Sequence, residues 1–254
     1  MLQKIQAALQ KIEHHHHIKV LYACESGSRA WGFPSPDSDY DVRFIYANPL
    51  EWYLSIHDKT DHITLPVDAD NLDIVGWDIR KVLSLMNKSN ASIFAWMLSP
   101  IVYHNHNGFL EQLRAIAPQY FAPRAAIHHY LGLTRKIVNS ELQNETVNIK
   151  KYFYVLRPLL CAKWIAEKHQ APPMEFQNLL PLIEGNEKLL KAIEELLQRK
   201  EKAMEGEYIE RVPLIHDFAE SELAALHQVA KELPKTQPDS KVLNEWFREL
   251  VGCK

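Results

Sequence analysis

Glu25-Ser26-Gly27-Ser28-Arg29-Ala30-Trp31-Gly32, followed shortly by Asp37-Ser38-Asp39-Tyr40-Asp41-Val42-Arg43-Phe44-Ile45-Tyr46, is the stretch from which the fold can be read. The run from Tyr40 to Tyr46 is aromatic and β-branched, as a strand requires. Side chains two apart on a strand share a face, so Asp39 and Asp41 project together and Arg43 continues their row. Two adjacent carboxylates repel unless a cation lies between them. Mg²⁺ is the simplest such cation, because it takes oxygen ligands and is commonly held by one or two carboxylates plus substrate phosphates. Arg43 is the competing reading, as a structural counter-ion on the same face.

Upstream, Ile18–Cys24 is a mostly apolar run that reads as a buried strand. It leads into Ser26-Gly27-Ser28, where glycine allows close backbone approach to a ligand. Successive backbone N–H groups in such a turn can cradle an anion, and Ser28 adds a hydroxyl. Taken singly, a Gly-Ser turn is only a turn, a D-x-D pair only a solvated strand end, and Pro34, Pro36 and Asp37 supply ordinary turn chemistry. Together they place an anion seat beside a carboxylate pair, which is what a nucleoside triphosphate with its metal needs.

Strand, Gly27-Ser28, about ten residues, then Asp39-x-Asp41 opening a second strand resembles the DNA polymerase beta-like nucleotidyltransferase superfamily. The fuller string, with Leu72–Lys81 and Lys151–Leu160, resembles the bacterial predicted nucleotidyltransferases of an RNA-repair pathway, over roughly residues 18–182. The resemblance implies catalysis with Mg²⁺, or Mn²⁺ in its place, held by Asp39 and Asp41 and a third acid from a later strand. Asp73, embedded in the apolar run Leu72–Val75, is the candidate for that acid, since a charge inside such a run is costly unless paired or metal-bound. Asp78 competes, but it stands ahead of Ile79, Val82, Leu83 and Met86 at helical spacing and reads as a helix cap. Asp68 and Asp70 read as solvated turn residues. Gly27, Ser28, Arg29, Ser38, Arg43 and Lys88 are the candidate nucleotide-binding residues.

The chain has 254 residues, a net charge of −3, 46% hydrophobic residues and three cysteines. Cys24, Cys161 and Cys253 are odd in number and far apart, so neither a disulfide framework nor a zinc knuckle is implied. No apolar run suggests a membrane span and no signal peptide is evident, so the expectation is a cytoplasmic protein without membrane partners. Residues 120–170 carry 8 Lys/Arg against 3 Asp/Glu, whereas residues 1–105 carry 9 against 12. The basic middle stretch reads either as a face for polyphosphate or nucleic acid or as a solvated helix surface.

The expected fold is α+β: a small nucleotidyltransferase core (mixed β-sheet with flanking helices) in residues 1–106, then an all-α domain in 107–254. The expected elements are a helix over 2–12; strands over 18–24, 40–46, 62–67 and 71–75; helices over 77–87 and 90–98; and a strand over 101–103. Four histidines, His14–His17, follow the first helix; they read as a polar connection, with transition-metal binding as the other reading. Ile149, Phe153, Leu156, Leu160 and Trp164 form one stripe of a later helix that Pro158 should kink. Further helices are expected over 186–205, 220–233 and 242–251. By resemblance to superfamily members with a helical partner domain, that domain closes the active-site cleft, and Lys150, Lys151, Tyr154 and Arg157 are candidate contacts for triphosphate or acceptor.

The function implied is transfer of an NMP from an NTP, ATP favoured, to an acceptor hydroxyl with release of pyrophosphate. An RNA 3′ end is the favoured acceptor; a protein hydroxyl, a small molecule and a non-catalytic nucleotide or RNA sensor are the alternatives. Neither the base, the acceptor nor the oligomeric state is legible in the sequence.

Overall fold

The computed structural model describes residues 1–202, 206–236 and 238–253. In chain order the elements are α1 (Leu2–His16), β1 (Lys19–Glu25), α2 (Ser28–Trp31), β2 (Tyr40–Ala47), α3 (Leu50–Tyr53), β3 (His62–Thr64), β4 (Leu72–Asp78), α4 (Ile79–Asn87), α5 (Ala91–Met97) and β5 (Val102–Asn105). After these come α6 (Phe109–Ile116), α7 (Pro123–Ser140), β6 (Thr146–Asn148), α8 (Ile149–Lys168), α9 (Glu187–Lys202), β7 (Tyr208–Glu210), α10 (Pro213–Glu232) and α11 (Lys241–Leu250). The chain forms two compact units. The first comprises Met1–Gly27, Asp39–Tyr120 and Gln237–Lys254; the second comprises Ser28–Ser38 and Phe121–Thr236. Each unit is therefore discontinuous in sequence, where the expectation was one boundary near residue 106.

The first unit is built on a five-stranded mixed sheet in the order β3-β4-β2-β1-β5. β2 and β4 are parallel; the other neighbours are antiparallel. α1 buries Ile5, Leu9 and Ile12 against Val20, Val42, Phe44, Leu72 and Ile74 of the sheet. It runs four residues beyond its expected end, because the histidines continue the helix to His16 and His17 closes it in a left-handed conformation (φ 53°). β4 likewise runs past its expected end at Val75, through Gly76 to Asp78. Gly76 reads as a strand breaker, yet parallel pairing with β2 extends to Tyr46↔Asp78 and holds it in the ladder. A Cβ at Gly76 would lie 2.1 Å from the Phe44 ring, so the absent side chain is what allows Phe44 to pack there.

α4 then begins at Ile79, with Asp78 as its cap: the buried carboxylate accepts from the Arg80 N–H (2.8 Å), Asn48 Nδ2 (2.8 Å) and the Tyr53 hydroxyl (2.8 Å). α11 returns to this unit. Its Trp246 stacks on Phe109 and Phe247 meets Tyr53 edge-on.

The second unit is helical, with α7, α8 and α10 packed on one another and the small antiparallel pair β6–β7 beside them. α8 is continuous from Ile149 to Lys168 and contains Pro158. Residues 203–205, the expected end of the helix starting near 186, lie outside the described residues. No helix among the described residues is long and apolar enough to cross a membrane.

Candidate active site

The parallel pairing of β2 with β4 sets Asp41 directly opposite Asp73. Arg43, two residues along β2, reaches both: its Nη2 lies 2.9 Å from Asp41 Oδ1 and 2.8 Å from Asp73 Oδ2, and its Nη1 donates to the Asp73 carbonyl (2.9 Å). The counter-ion reading of Arg43 thus describes the geometry in this structure. Asp39 stands immediately before β2, half-buried.

Burial pushes the Asp41 carboxyl up to about 6. Arg43 opposes that rise, while the charges of Glu25, Asp73 and Asp39 add to it.

The turn after β1 is shaped around Asp41. Its Ser26 N–H donates to the Asp41 carbonyl (2.9 Å). A Cβ at Gly27 would fall 1.6 Å from Asp41 Oδ2, so only glycine lets the turn approach the carboxylate this closely.

In the second unit, the segment Ser28–Ser38 folds on itself. Ser28 Oγ meets Ser38 Oγ at 3.1 Å, Arg29 Nη2 donates to the Ser38 carbonyl (2.7 Å), and Ser38 Oγ accepts from the Ser35 N–H (2.9 Å). Trp31 and Phe33 of this segment pack on α8: Phe33 lies 4.8 Å from Phe153, and Trp31 lies 5.7 Å from Tyr154, edge-on.

The remaining candidate residues are more scattered. Lys88 is exposed at the end of α4 in the first unit. In the second, Asn148 caps α8 by accepting from the Lys150 N–H, and the Lys151 ammonium pairs with Glu141 (3.0 Å). Tyr154 is 40% exposed, whereas Arg157 is 6% exposed. The Arg157 guanidinium donates twice to the Met174 carbonyl and lies 4.8 Å over the Trp31 ring.

Over residues 1–249 the sequence matches the family model RlaP, the RNA repair pathway DNA polymerase beta family. The chain belongs to this family. It is accordingly a nucleotidyltransferase of the polymerase-beta kind. The uncharacterized protein YcgL of Bacillus subtilis (strain 168) is 44% identical over 239 residues, covering 94% of this chain and 92% of that relative. A nucleotidyltransferase-like protein from Exiguobacterium sibiricum 255-15 aligns over 98% of this chain and 80% of its own, at 14% identity and a TM-score of 0.32, too low to establish a shared fold.

Two further residues of this RlaP-family chain are buried polar groups that the sequence reading passes over. Glu25 is fully buried at the end of β1. Its Oε1 accepts from the Asp41 N–H (2.7 Å) and, more weakly, from the Gly27 N–H (3.5 Å), and its Oε2 accepts from the Tyr103 hydroxyl (2.5 Å). The sequence signal was available, since an acid closing an apolar strand has to find donors. Lys200, on the charge-rich α9, is 3% exposed and donates to the Phe33 carbonyl (2.9 Å). Nothing in its local sequence distinguishes it from its solvated neighbours.

Among the described residues, no group of three or more His, Cys, Asp or Glu side chains is arranged to hold a metal ion by itself. The donors present still suit a hard divalent ion. Asp41 and Asp73 share a register position and offer carboxylate oxygens, and Mg²⁺ ordinarily completes its shell with water and substrate phosphate rather than a protein cage. Arg43 places a positive charge between them.

Proposed function

We propose that this RlaP-family protein moves a nucleoside monophosphate from an NTP, ATP favoured, to the hydroxyl of an RNA 3′ end and releases pyrophosphate, with Mg²⁺ as its metal. The observation that carries this reading is the placement of Gly27 against the Asp41 carboxylate, itself opposite Asp73. The glycine turn and a carboxylate pair are thereby in contact, the arrangement that a metal-bound triphosphate needs.

Asp39 and Asp41, with Asp73 completing the site, would hold the metal, which when bound offsets the negative charge of the phosphates. Gly27, Ser28, Arg29 and Ser38 are the residues assigned to the triphosphate. In the reaction the acceptor oxygen bonds to the α-phosphorus, the bond from that phosphorus to the bridging oxygen breaks, and pyrophosphate leaves. Asp73 is the candidate base for the hydroxyl proton, and Arg43 orients it through their ion pair. The RNA acceptor is favoured by the family description alone. Protein and small-molecule hydroxyls remain the alternatives.

The test is transfer of label from each α-labelled NTP into total RNA with Mg²⁺, with Asp39→Asn and Asp41→Asn as controls. Label entering RNA only with the unsubstituted protein supports the proposal. Transfer that persists in both variants overturns the roles given to these carboxylates, and label appearing in protein or small molecules instead moves the acceptor.

A further inference from the structure

We infer that Lys200 is a positioning residue: from α9 it sets the geometry of Ser28–Ser38, and through it the triphosphate seat. The inference rests on the reading of Ser28, Arg29 and Ser38 as that seat.

The segment has little regular structure of its own. Its one helix, α2, has four residues. The internal bonds Ser28–Ser38, Arg29–Ser38 and Ser35–Ser38 close it into a loop but leave its orientation on the helices undetermined. Orientation comes from two aromatic side chains, each met by a buried cation. Phe33 lies against Phe153 and Phe176, and the Lys200 ammonium donates to its carbonyl while lying 5.2 Å from its ring centre. Trp31 receives Arg157 on its face.

A desolvated ammonium–carbonyl bond is strong and directional. It fixes the backbone at Phe33 midway between Arg29 and Ser38. Burying a lysine this completely is costly unless its bonds are met inside. The bond to the Phe33 carbonyl places part of that compensation at the loop's main chain. Arg157 reaches the segment across the face of Trp31 while its guanidinium donates to the Met174 carbonyl.

The test measures tripolyphosphate and adenosine binding to the full-length protein, together with thermal unfolding, for Lys200→Met, Lys200→Arg, Ser28→Ala and Arg29→Ala. Lys200→Met keeps the aliphatic stem and removes the donor. It is expected to weaken tripolyphosphate binding about tenfold, the lower end of what losing a residue that orients ligand-binding groups costs, with adenosine binding unchanged. Lys200→Arg, which keeps a buried cationic donor, is expected to restore most of that loss.

A folded Lys200→Met protein that binds tripolyphosphate normally, while Ser28→Ala and Arg29→Ala bind it weakly, overturns the inference and leaves the seat standing. Normal binding in Ser28→Ala and Arg29→Ala overturns the seat itself. Should Lys200→Met not fold, Lys200→Gln, which keeps a neutral donor, is read by the same criteria.

Discussion

Gly27 has no room for a side chain, and the atom that excludes one is a carboxylate oxygen of Asp41. Gly27→Ala must push apart the turn after β1 and Asp41. It is expected to cost about 1–3 kcal/mol of stability and to abolish nucleotidyl transfer, read by thermal unfolding beside the label-transfer assay. A variant with full activity would mean that this close approach is incidental.

Arg43 makes a second prediction. With Arg43→Met, Asp41 and Asp73 face each other without their shared cation, so the metal-free protein should melt lower. Mg²⁺ should then stabilise the variant by more than it stabilises the parent, because it would replace the lost charge. Equal Mg²⁺ stabilisation of both proteins in a melting titration would count against metal binding at this pair.

Asp41 sets a pH dependence. Its folded-state value, raised to about 6 by burial, lies above the unfolded value of about 3.9. The folded form therefore binds more protons between those values, and in metal-free buffer this group's contribution to stability declines as pH rises from about 4 to about 6. Protons also compete with metal for the same oxygens. Mg²⁺ affinity should fall about tenfold per pH unit below about 6 and level off above it. Calorimetric titration across pH 5–8 checks this, and a flat profile would remove Asp41 from the ligand set.

At the scale of elements, the β2–β4 pair aligns the acids. Asp41 and Asp73 are separated by 31 intervening residues yet share one register position because the two strands run parallel. Gly76 and Phe44, three positions further along the same pairing, keep the strands in contact: the ring fills the space a Cβ at Gly76 would take. Gly76→Ala is expected to destabilise the protein by about 1–3 kcal/mol through overpacking. Gly76→Ala combined with Phe44→Leu should cost less than the sum of the two single changes, because the leucine vacates the space that the new methyl needs. Additivity in a denaturant-unfolding cycle would show that the ring yields by another route.

The elements also show where local patterning is informative. The apolar run before Cys24, the aromatic β2 and the helical spacing after Asp78 match β1, β2 and α4 closely. The reading fails where a tertiary partner overrides a local cue. Gly76 remains in a strand because β2 pairs with it, and the histidines remain in α1 because the helix continues to the turn that leads into β1. β6 and β7 are three residues each and 59 residues apart in sequence, too short to show a period before they pair.

For the whole molecule, the last helix belongs to the first compact unit although it is last in sequence. Trp246 covers Phe109 and donates to Gln112, and Phe247 meets Tyr53, whose hydroxyl bonds to the Asp78 cap of α4. Removing residues 238–254 is expected to lower the melting temperature by several degrees or more, since two large aromatic contacts and the cover of α4 are lost. An unchanged melt would show that α11 is dispensable to its unit.

The sequence by itself determined the strand-turn-strand order around Gly27 and Asp39-x-Asp41, the helical character of the second half and the family, because these rest on local periodicity, turn chemistry and residue spacing. Tertiary structure alone decided the rest. It set Asp41 against Asp73 with Arg43 between them, brought Glu25 to the Asp41 backbone, assigned the Ser28–Ser38 segment to the helical unit, and turned Lys200 inward to the Phe33 carbonyl. Pairing register and burial depend on residues far apart in the chain. A buried lysine and a solvated one are spelled the same until the packing around them exists.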